Sequence, residues 1–495
     1  MPQIQPDIET SIAEVRHSPY YSGDMGAIPL SQRKWGLRDI AALWISMAAC
    51  VPTYMLASSA IDTGMNWWQA VLTIFLANVV VLIPMVLNAH AGTKYGIPFP
   101  VYCRASFGIL GANIPAMLRA LVACGWFGIQ AWIGGAAIYQ IGSVLFPSLR
   151  EAHPMQWMGF RVGINFPQFV CFLIFWAINV LVIWKGIESI RILLNIKAPL
   201  LIVLGLALLG WAYKQANGLG PMLDAPAKHP PGGFWLIFFP VLTANVGFWA
   251  TLSLNIPDFS RYAFSQRDQV LGQAIGLPPT MALYSFIGVA VTSATIVIYG
   301  ESIWDPVMLL EKFKNPVVLI VAMLALCLAT LATNIAANVV SPANDFAHLW
   351  PRVINFRRGG LITAVIGIVM MPWKLVSDPS GYIFRWLIAY SALLGAVGGI
   401  LVIDYWCLRK TKLDLKGLYS PSGPYWYSSG FNFIAILAFV LGILPCAPGF
   451  VAAVGIAEVR PFWTQLYSYA WFIGFAISGV SYFLLMSLSG KNEQV

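Results

Sequence analysis

Apolar residues along this chain do not alternate with polar ones; they come in runs of about 20 residues, separated by short polar connections. Each run is long enough to cross a bilayer as a helix. Twelve recur from end to end, over residues 36–62, 67–90, 111–145, 165–184, 189–213, 233–256, 269–299, 316–341, 358–376, 382–408, 429–449 and 462–487. The connections leave no room for a soluble domain. The pattern predicts an all-α integral membrane protein with twelve transmembrane helices, a polar tail over residues 1–35 and a second tail over 488–495.

Two runs are interrupted at mid-depth. The first contains Ser46, Ala49, Cys50 and then Pro52, and proline in a helix interior removes a backbone hydrogen bond. The sixth reads Thr243-Ala244-Asn245-Val246-Gly247-Phe248-Trp249-Ala250, which suits an unwound stretch better than a lipid-facing helix. Unwound backbone is tolerated in a membrane only where it lines a cavity or is buried in protein. Breaks in spans 1 and 6 are the spacing of two five-helix repeats of opposite topology. The repeats cover residues 36–213 and 233–408, with spans 11 and 12 (429–487) appended. Paired broken helices point to a transporter's binding site.

Composition narrows the class. Of the 495 residues 59% are hydrophobic and 10% are charged, against about 25% charged in soluble domains. The net charge of +9 does not signal nucleic acid, because its distribution orients a membrane protein. The tail and the connections after even-numbered spans hold about twice the Lys and Arg of the other connections, with Arg357, Arg358, Arg409, Lys410, Lys412 and Lys416 the clearest anchors. That predicts a multi-pass protein of the cytoplasmic membrane with both termini cytoplasmic. The tail has no apolar stretch of the kind a signal peptide needs. The seven cysteines are odd in number and lack CxxC spacing, which argues against disulfides or a metal site.

The polar residues within spans carry the chemistry. Trp126 and Gln130 stand one turn apart on one face of span 3. Span 8 carries Thr333, Asn334 and Asn338, and Trp249 with Phe248 lies at the second break. Each polar group in hydrocarbon must face protein or a cavity. Taken singly, each amide reads equally as glue between helices. Together with the two indoles they suit a neutral, flat solute with N–H and C=O on its edge, such as a nucleobase or a ureide ring. The centres of the broken spans carry no charged residue to meet an amino acid. Thr333 is the best hydroxyl ligand for a coupling cation, unless it bonds back to its own helix. Asp258 with Arg261, Asp345 and Asp404 follow spans 6, 8 and 10, where a gate of ion pairs and interface snorkelling or capping are both open readings; Arg119 lies near the start of span 3. A channel is the more remote alternative. No catalytic pairing of the protease or metalloenzyme kind occurs within the spans, so an enzyme is not expected. No cofactor is expected either. The expected partners are a small-molecule substrate, a proton or sodium ion and membrane lipids, with the chain acting as a monomer.

At these residues the chain resembles the nucleobase:cation symporter-1 family, over nearly its whole length. The marks are Trp126 to Gln130, Trp249 with Asp258, the run from Thr333-Asn334 to Asn338-Val339-Val340-Ser341-Pro342, Met371-Pro372-Trp373, and Asp404-Tyr405. Asn88 to Pro100 and Cys50-Val51-Pro52-Thr53-Tyr54 resemble its allantoin, uracil and purine branch. The resemblance implies a LeuT-like five-plus-five inverted repeat and alternating access. It implies substrate stacked between Trp126 and Trp249, bonded by Gln130 and Asn338, with Cys50 and Phe248 on the rim. It also implies a sodium site at the positions of Ser46, Ala49, Ala329, Ala332 and Thr333. Ala332 stands where that site has a serine, and Cys50 where a glutamine stands near the substrate. The first change weakens the sodium reading and favours proton coupling.

Overall fold

A computed structural model of the protein describes residues 8–490 apart from 158–159, 186, 225, 230–232 and 380. Among these residues eight helices are long and apolar enough to cross a membrane singly, and a ninth span is a bent pair. The bent pair is span 1: α1 (Leu37–Ala48) and α2 (Val51–Asp62), at 56° to one another. Then follow α3 (Trp67–Tyr95), the short α4 (Phe99–Phe107), α5 (Asn113–Leu145), α6 (Phe166–Lys185) and α7 (Ile187–Gln215). Span 6 is α8 (Phe234–Phe248) plus α9 (Ala250–Asn255), and span 7 is α10 (Gln266–Tyr299). Span 8 is α11 (Pro316–Asn338) plus α12 (Val340–Leu349), and span 9 is α13 (Phe356–Val369). Span 10 has α14 (Ile388–Val402) between two π-helical segments, Gly381–Leu387 and Ile403–Leu408. Spans 11 and 12 are α15 (Phe433–Ile443) continued by α16 (Ala447–Ala453), and α17 (Ala470–Leu488).

The lipid-facing surface is written in helical stripes. On α3, Leu72, Phe75, Leu76, Val79 and Ile83 are all exposed, and they recur at the three- and four-residue spacing of one helix face. The opposite face, with Thr73, Ala77, Asn78 and Asn88, is buried. The two halves pack in matching ways. Span 1 lies on span 7 as span 6 lies on span 2, and spans 3 and 8 lie against each other. Exchanging the halves maps each contact onto its counterpart, as an inverted repeat requires.

Several boundaries depart from expectation. The break in span 1 falls at Ala49 (φ −75°, ψ 88°) and extended Cys50, so Pro52 opens the second half rather than kinking one helix. In the first turn its missing N–H costs nothing. Span 6 stays helical through Phe248 and breaks at Trp249 alone (φ −99°, ψ 2°). Asn245 there bonds its own helix at Val241 O, 2.8 Å, and Gly247 admits the backbone of Leu387, which a Cβ would crowd. Span 8 breaks too, at Val339 (φ −116°, ψ −47°). Span 9 ends at Val369 instead of 376, because Met371 is left-handed (φ 48°) and precedes Pro372. Span 11 starts at Phe433, where the Asn432 side chain caps Ile434 N at 3.2 Å. Span 12 starts at Ala470, after a separate short helix, Pro461–Tyr467. A two-stranded antiparallel hairpin, β1 (Pro154–Trp157) with β2 (Phe160–Asn165), follows α5 in a protein expected to be all helix.

The N-terminal tail lies across one face of the bundle. Ile28 N bonds Gly96 O at 2.9 Å, Arg261 Nη1 bonds Asp24 O at 3.0 Å, and Tyr419 Oη bonds Met25 O at 2.7 Å. These partners follow spans 2, 6 and 10, so the tail and the basic even-numbered connections share one side.

Candidate functional site

The breaks in spans 1, 6 and 8 meet span 3 around a cavity of about 40 Å³. Its walls include Cys50, Trp126, Gln130, Phe248, Trp249 and Asn338, which are all six residues expected to touch substrate, together with Thr333. Residues 126 and 130 share a helix face, and Gly128 lets span 9 approach from behind, since a Cβ there would collide with the Gly367 carbonyl. Trp126 donates its indole N–H to Tyr390 Oη at 3.3 Å, so only its ring face remains for other contacts. Edge-to-face contacts run from Trp126 to Phe248 (5.1 Å), Phe248 to Trp249 (5.0 Å) and Trp249 to Trp44 (5.4 Å). The volume has room for about three waters and not for a six-membered ring.

Two polar atoms in this wall lack partners among the described residues: Gln130 Oε1, an acceptor, and Trp249 Nε1, a donor. Both are buried, where an unpaired polar group costs about 1–3 kcal/mol. Asn338 Nδ2 donates to Asn334 Oδ1 at 3.0 Å. Asn334 donates onward to Phe127 O at 3.2 Å and Asn179 Oδ1 at 3.1 Å. Asn334 thus serves as glue among spans 3, 4 and 8, and Asn338 is the end of that ladder at the cavity. Cys50 Sγ lies 3.2 Å from Thr53 Oγ1.

The cation-site candidates are placed differently. Ser46, Ala49, Ala329 and Ala332 are not among the cavity walls, although their helices, α1 and α11, touch. Thr333 Oγ1 donates to Ala329 O at 2.9 Å, the back-bond within its own helix. Sequence reasoning missed Met47, Thr251, Leu252 and Ala337 in the cavity wall and the cover that span 10 supplies through Tyr390 and Trp386. Thr251 was signalled by its place just past the break; the span 10 aromatics carried no local mark. A larger cavity of about 570 Å³, between the start of α8 and α16, shares no wall residue with this one.

Toward the tail side, α5 carries a second buried cluster. Arg119 Nη1 meets Asp345 Oδ2 at 3.4 Å, both fully buried. With the Asn255 amide turned to satisfy its neighbours, its oxygen accepts from Arg119 Nη2 at 3.1 Å and from Ser341, and its nitrogen donates to Thr251 O at 2.6 Å. Asp258 caps α4 through Phe99 N at 2.9 Å; burial raises its carboxyl above the usual range, an effect that this bond opposes. Asp404 is held by Arg409 (2.8 Å), Ser106 (3.0 Å) and Tyr482 (2.8 Å). Asp258, Asp345 and Asp404 are therefore buried; Asp258 caps a helix, as the capping reading expected, while Asp345 and Asp404 face arginines.

Halves related by exchange, and a small, mostly apolar cavity where three broken spans converge, are the architecture of a LeuT-like membrane transporter. The comparisons agree. Residues 27–474 match the family described as permeases for cytosine/purines, uracil, thiamine and allantoin. The chain is 46% identical over 466 residues to the purine-uracil permease NCS1 of Arabidopsis thaliana, covering 94% of this chain and 77% of that one. It is 40% identical to the allantoin permease of Bacillus subtilis, covering 93% and 92%. The inward-facing conformation of Mhp1 matches with a TM-score of 0.75 at 25% identity, over 95% of this chain and 94% of that one. The chain belongs to the nucleobase:cation symporter-1 family, whose members are permeases and not enzymes.

Proposed function

We propose that this permease imports a neutral nucleobase or ureide ring with a cation, by alternating access, across the cytoplasmic membrane with both termini in the cytoplasm. The observation that carries the substrate class is the pair of unpartnered atoms, Gln130 Oε1 and Trp249 Nε1. An acceptor and a donor on two residues of one cavity wall, once turned to a ligand, complement adjacent N–H and C=O groups on a ring edge. Uracil, allantoin, hydantoin and oxopurines all present such an edge. The names of the relatives, purine-uracil permease and allantoin permease, support the same class. Trp126 offers a ring face for stacking. The test is initial uptake by proteoliposomes of labelled uracil, allantoin, hydantoin and a purine. Trp126→Ala is expected to weaken the preferred ligand at least ~10-fold. Unchanged affinity would remove Trp126 from the site.

For the coupling ion we favour the proton. Ala332 contributes no side-chain oxygen, so of the span 8 positions Ala329, Ala332 and Thr333 only Thr333 offers a hydroxyl, whose lone pairs stay free while its proton goes to Ala329 O. Sodium needs several oxygens to replace its water, as hard cations do. Imposing each gradient alone decides between the two: uptake should follow the pH gradient, and Ala332→Ser should increase any sodium response. Strong stimulation by sodium with none from protons would establish the second reading, a sodium symporter.

A further inference from the structure

Arg104 on α4 is buried, yet among the described residues no carboxylate answers it. Three of its five N–H groups are used, all by neutral acceptors: Nε by His348 Nε2 (3.0 Å), Nη1 by Leu418 O (3.0 Å) and Nη2 by Tyr20 O (3.0 Å). Arginine has nothing to accept with, so His348 Nε2 is the acceptor in that contact. The ring proton of neutral His348 is then on Nδ1, donating to Asn113 Oδ1 at 2.8 Å. That fixes the Asn113 amide with its oxygen toward His348 and leaves its NH2 as a donor. The guanidinium also lies over the Tyr419 ring at 5.1 Å. Burial lowers its pKa to about 10, so it is charged at neutral pH.

Beside this group is a cavity of about 410 Å³, lined by Tyr20, Arg104, Asn113, His348, Trp350 and Arg352 among others, with no acidic residue in its wall among the described residues. The volume is in the range of ligand pockets. It opens on the tail side of the protein, away from the walls of the substrate cavity. Arg352 is exposed, and Trp350 at its rim is 61% exposed. An exposed indole next to arginine is the usual furniture of a membrane–water boundary. Two cations, an amide donor and no carboxylate make a site that lacks a negative charge.

We infer that this cavity, between the tail, α4 and the end of α12, binds a phosphate-bearing anion, either the headgroup of an anionic phospholipid or a soluble phosphate. Arg104 supplies fixed positive charge from the wall, Asn113 a neutral donor, and Arg352 a second cation from the rim that reaches phosphate oxygens in its fork geometry. Because Tyr20 and Arg104 also join the tail to the bundle, an occupied site tightens that junction.

The test uses the full chain in phosphatidylcholine nanodiscs and reads the unfolding temperature. One arm replaces part of the lipid by phosphatidylglycerol; the other adds inorganic phosphate to discs of phosphatidylcholine alone. Arg352→Gln removes the rim cation from an exposed position where folding is not at stake. Arg267→Gln, another exposed arginine on the same side, controls for general attraction to an anionic surface. Phosphatidylglycerol should raise the unfolding temperature of the natural protein saturably, by ~3 °C or more. Arg352→Gln should lose at least half of that gain and Arg267→Gln should keep it. The same pattern with inorganic phosphate assigns the site to a soluble anion. No gain in either arm, or a gain that Arg352→Gln lowers no more than Arg267→Gln does, overturns the site.

Discussion

Arg119 and Gln130 lie on one helix, about three turns apart, and both are buried, but their surroundings answer them in opposite ways. Arg119 is met by Asp345 and Asn255, which come from spans 8 and 6. Gln130 keeps an amide oxygen that no described residue meets. At the first end of α5 the charge is met by the protein's own groups, although Arg119 Nε and Asp345 Oδ1 have no partner among the described residues. The second leaves hydrogen-bonding capacity for something that is not part of the chain. Under the function proposed above, the difference separates a charge that the fold pairs from an amide oxygen that a ligand would meet, and residue type alone does not show it.

The sharpest way to break this comparison is Arg119→Ala. It strands Asp345 as a buried charge, which costs about 3–5 kcal/mol, so the thermal unfolding temperature should fall by many degrees. Adding Asp345→Asn to Arg119→Met should recover most of the loss. A cost below ~1 kcal/mol for Arg119→Ala would mean that the pair does not hold the tail-side closure. Gln130→Leu should behave in the opposite way. Ligand affinity should fall by about 1–3 kcal/mol, with selectivity among rings altered. Stability should stay level or rise, since the lost oxygen had no partner. A large fall in melting temperature together with equal loss for every ligand would make Gln130 another structural residue.

The smallest effect concerns an acid without a cation. Asp305, in the connection after span 7, caps a short helix through Val307 N at 2.8 Å. Burial pushes its carboxyl up to about 6, against an ordinary value of 3.8. The unfolded chain therefore ionises first as pH rises. Asp305 favours the folded state at low pH, and that advantage is lost between about pH 4 and pH 6. Asp305→Asn keeps a good cap and should flatten the pH dependence of the melting temperature over that window. Identical slopes in the two proteins would show that Asp305 does not set it.

Much of this was legible before any folding. Runs of about 20 apolar residues announce spans because a bilayer has a fixed thickness. The break at Ala49–Cys50 follows from Pro52, and the indole–amide pair at residues 126 and 130 follows from helical spacing. These are local facts, carried by neighbours in sequence. The six residues expected to touch substrate line one cavity because spans 1, 3, 6 and 8 converge in this fold, and the family marks sit on those spans.

What the sequence alone determined, then, is the membrane class, the approximate course of the spans, the breaks in spans 1 and 6, and six residues that share one cavity wall. Tertiary structure decided which polar groups have partners. The sequence holds Asn334 and Asn338 one turn apart and cannot say that the first bonds Asn179 while the second ends at the cavity. Nor can it join Arg119 to Asp345, or set Tyr390 on the Trp126 indole. The break at Val339 and the early end of span 9 were likewise settled by packing and by backbone conformation at Met371. The physical reason is range: helix formation and spacing are set within a turn or two, whereas a buried polar atom is satisfied or left open by residues hundreds of positions away, which only the folded chain brings within hydrogen-bond distance.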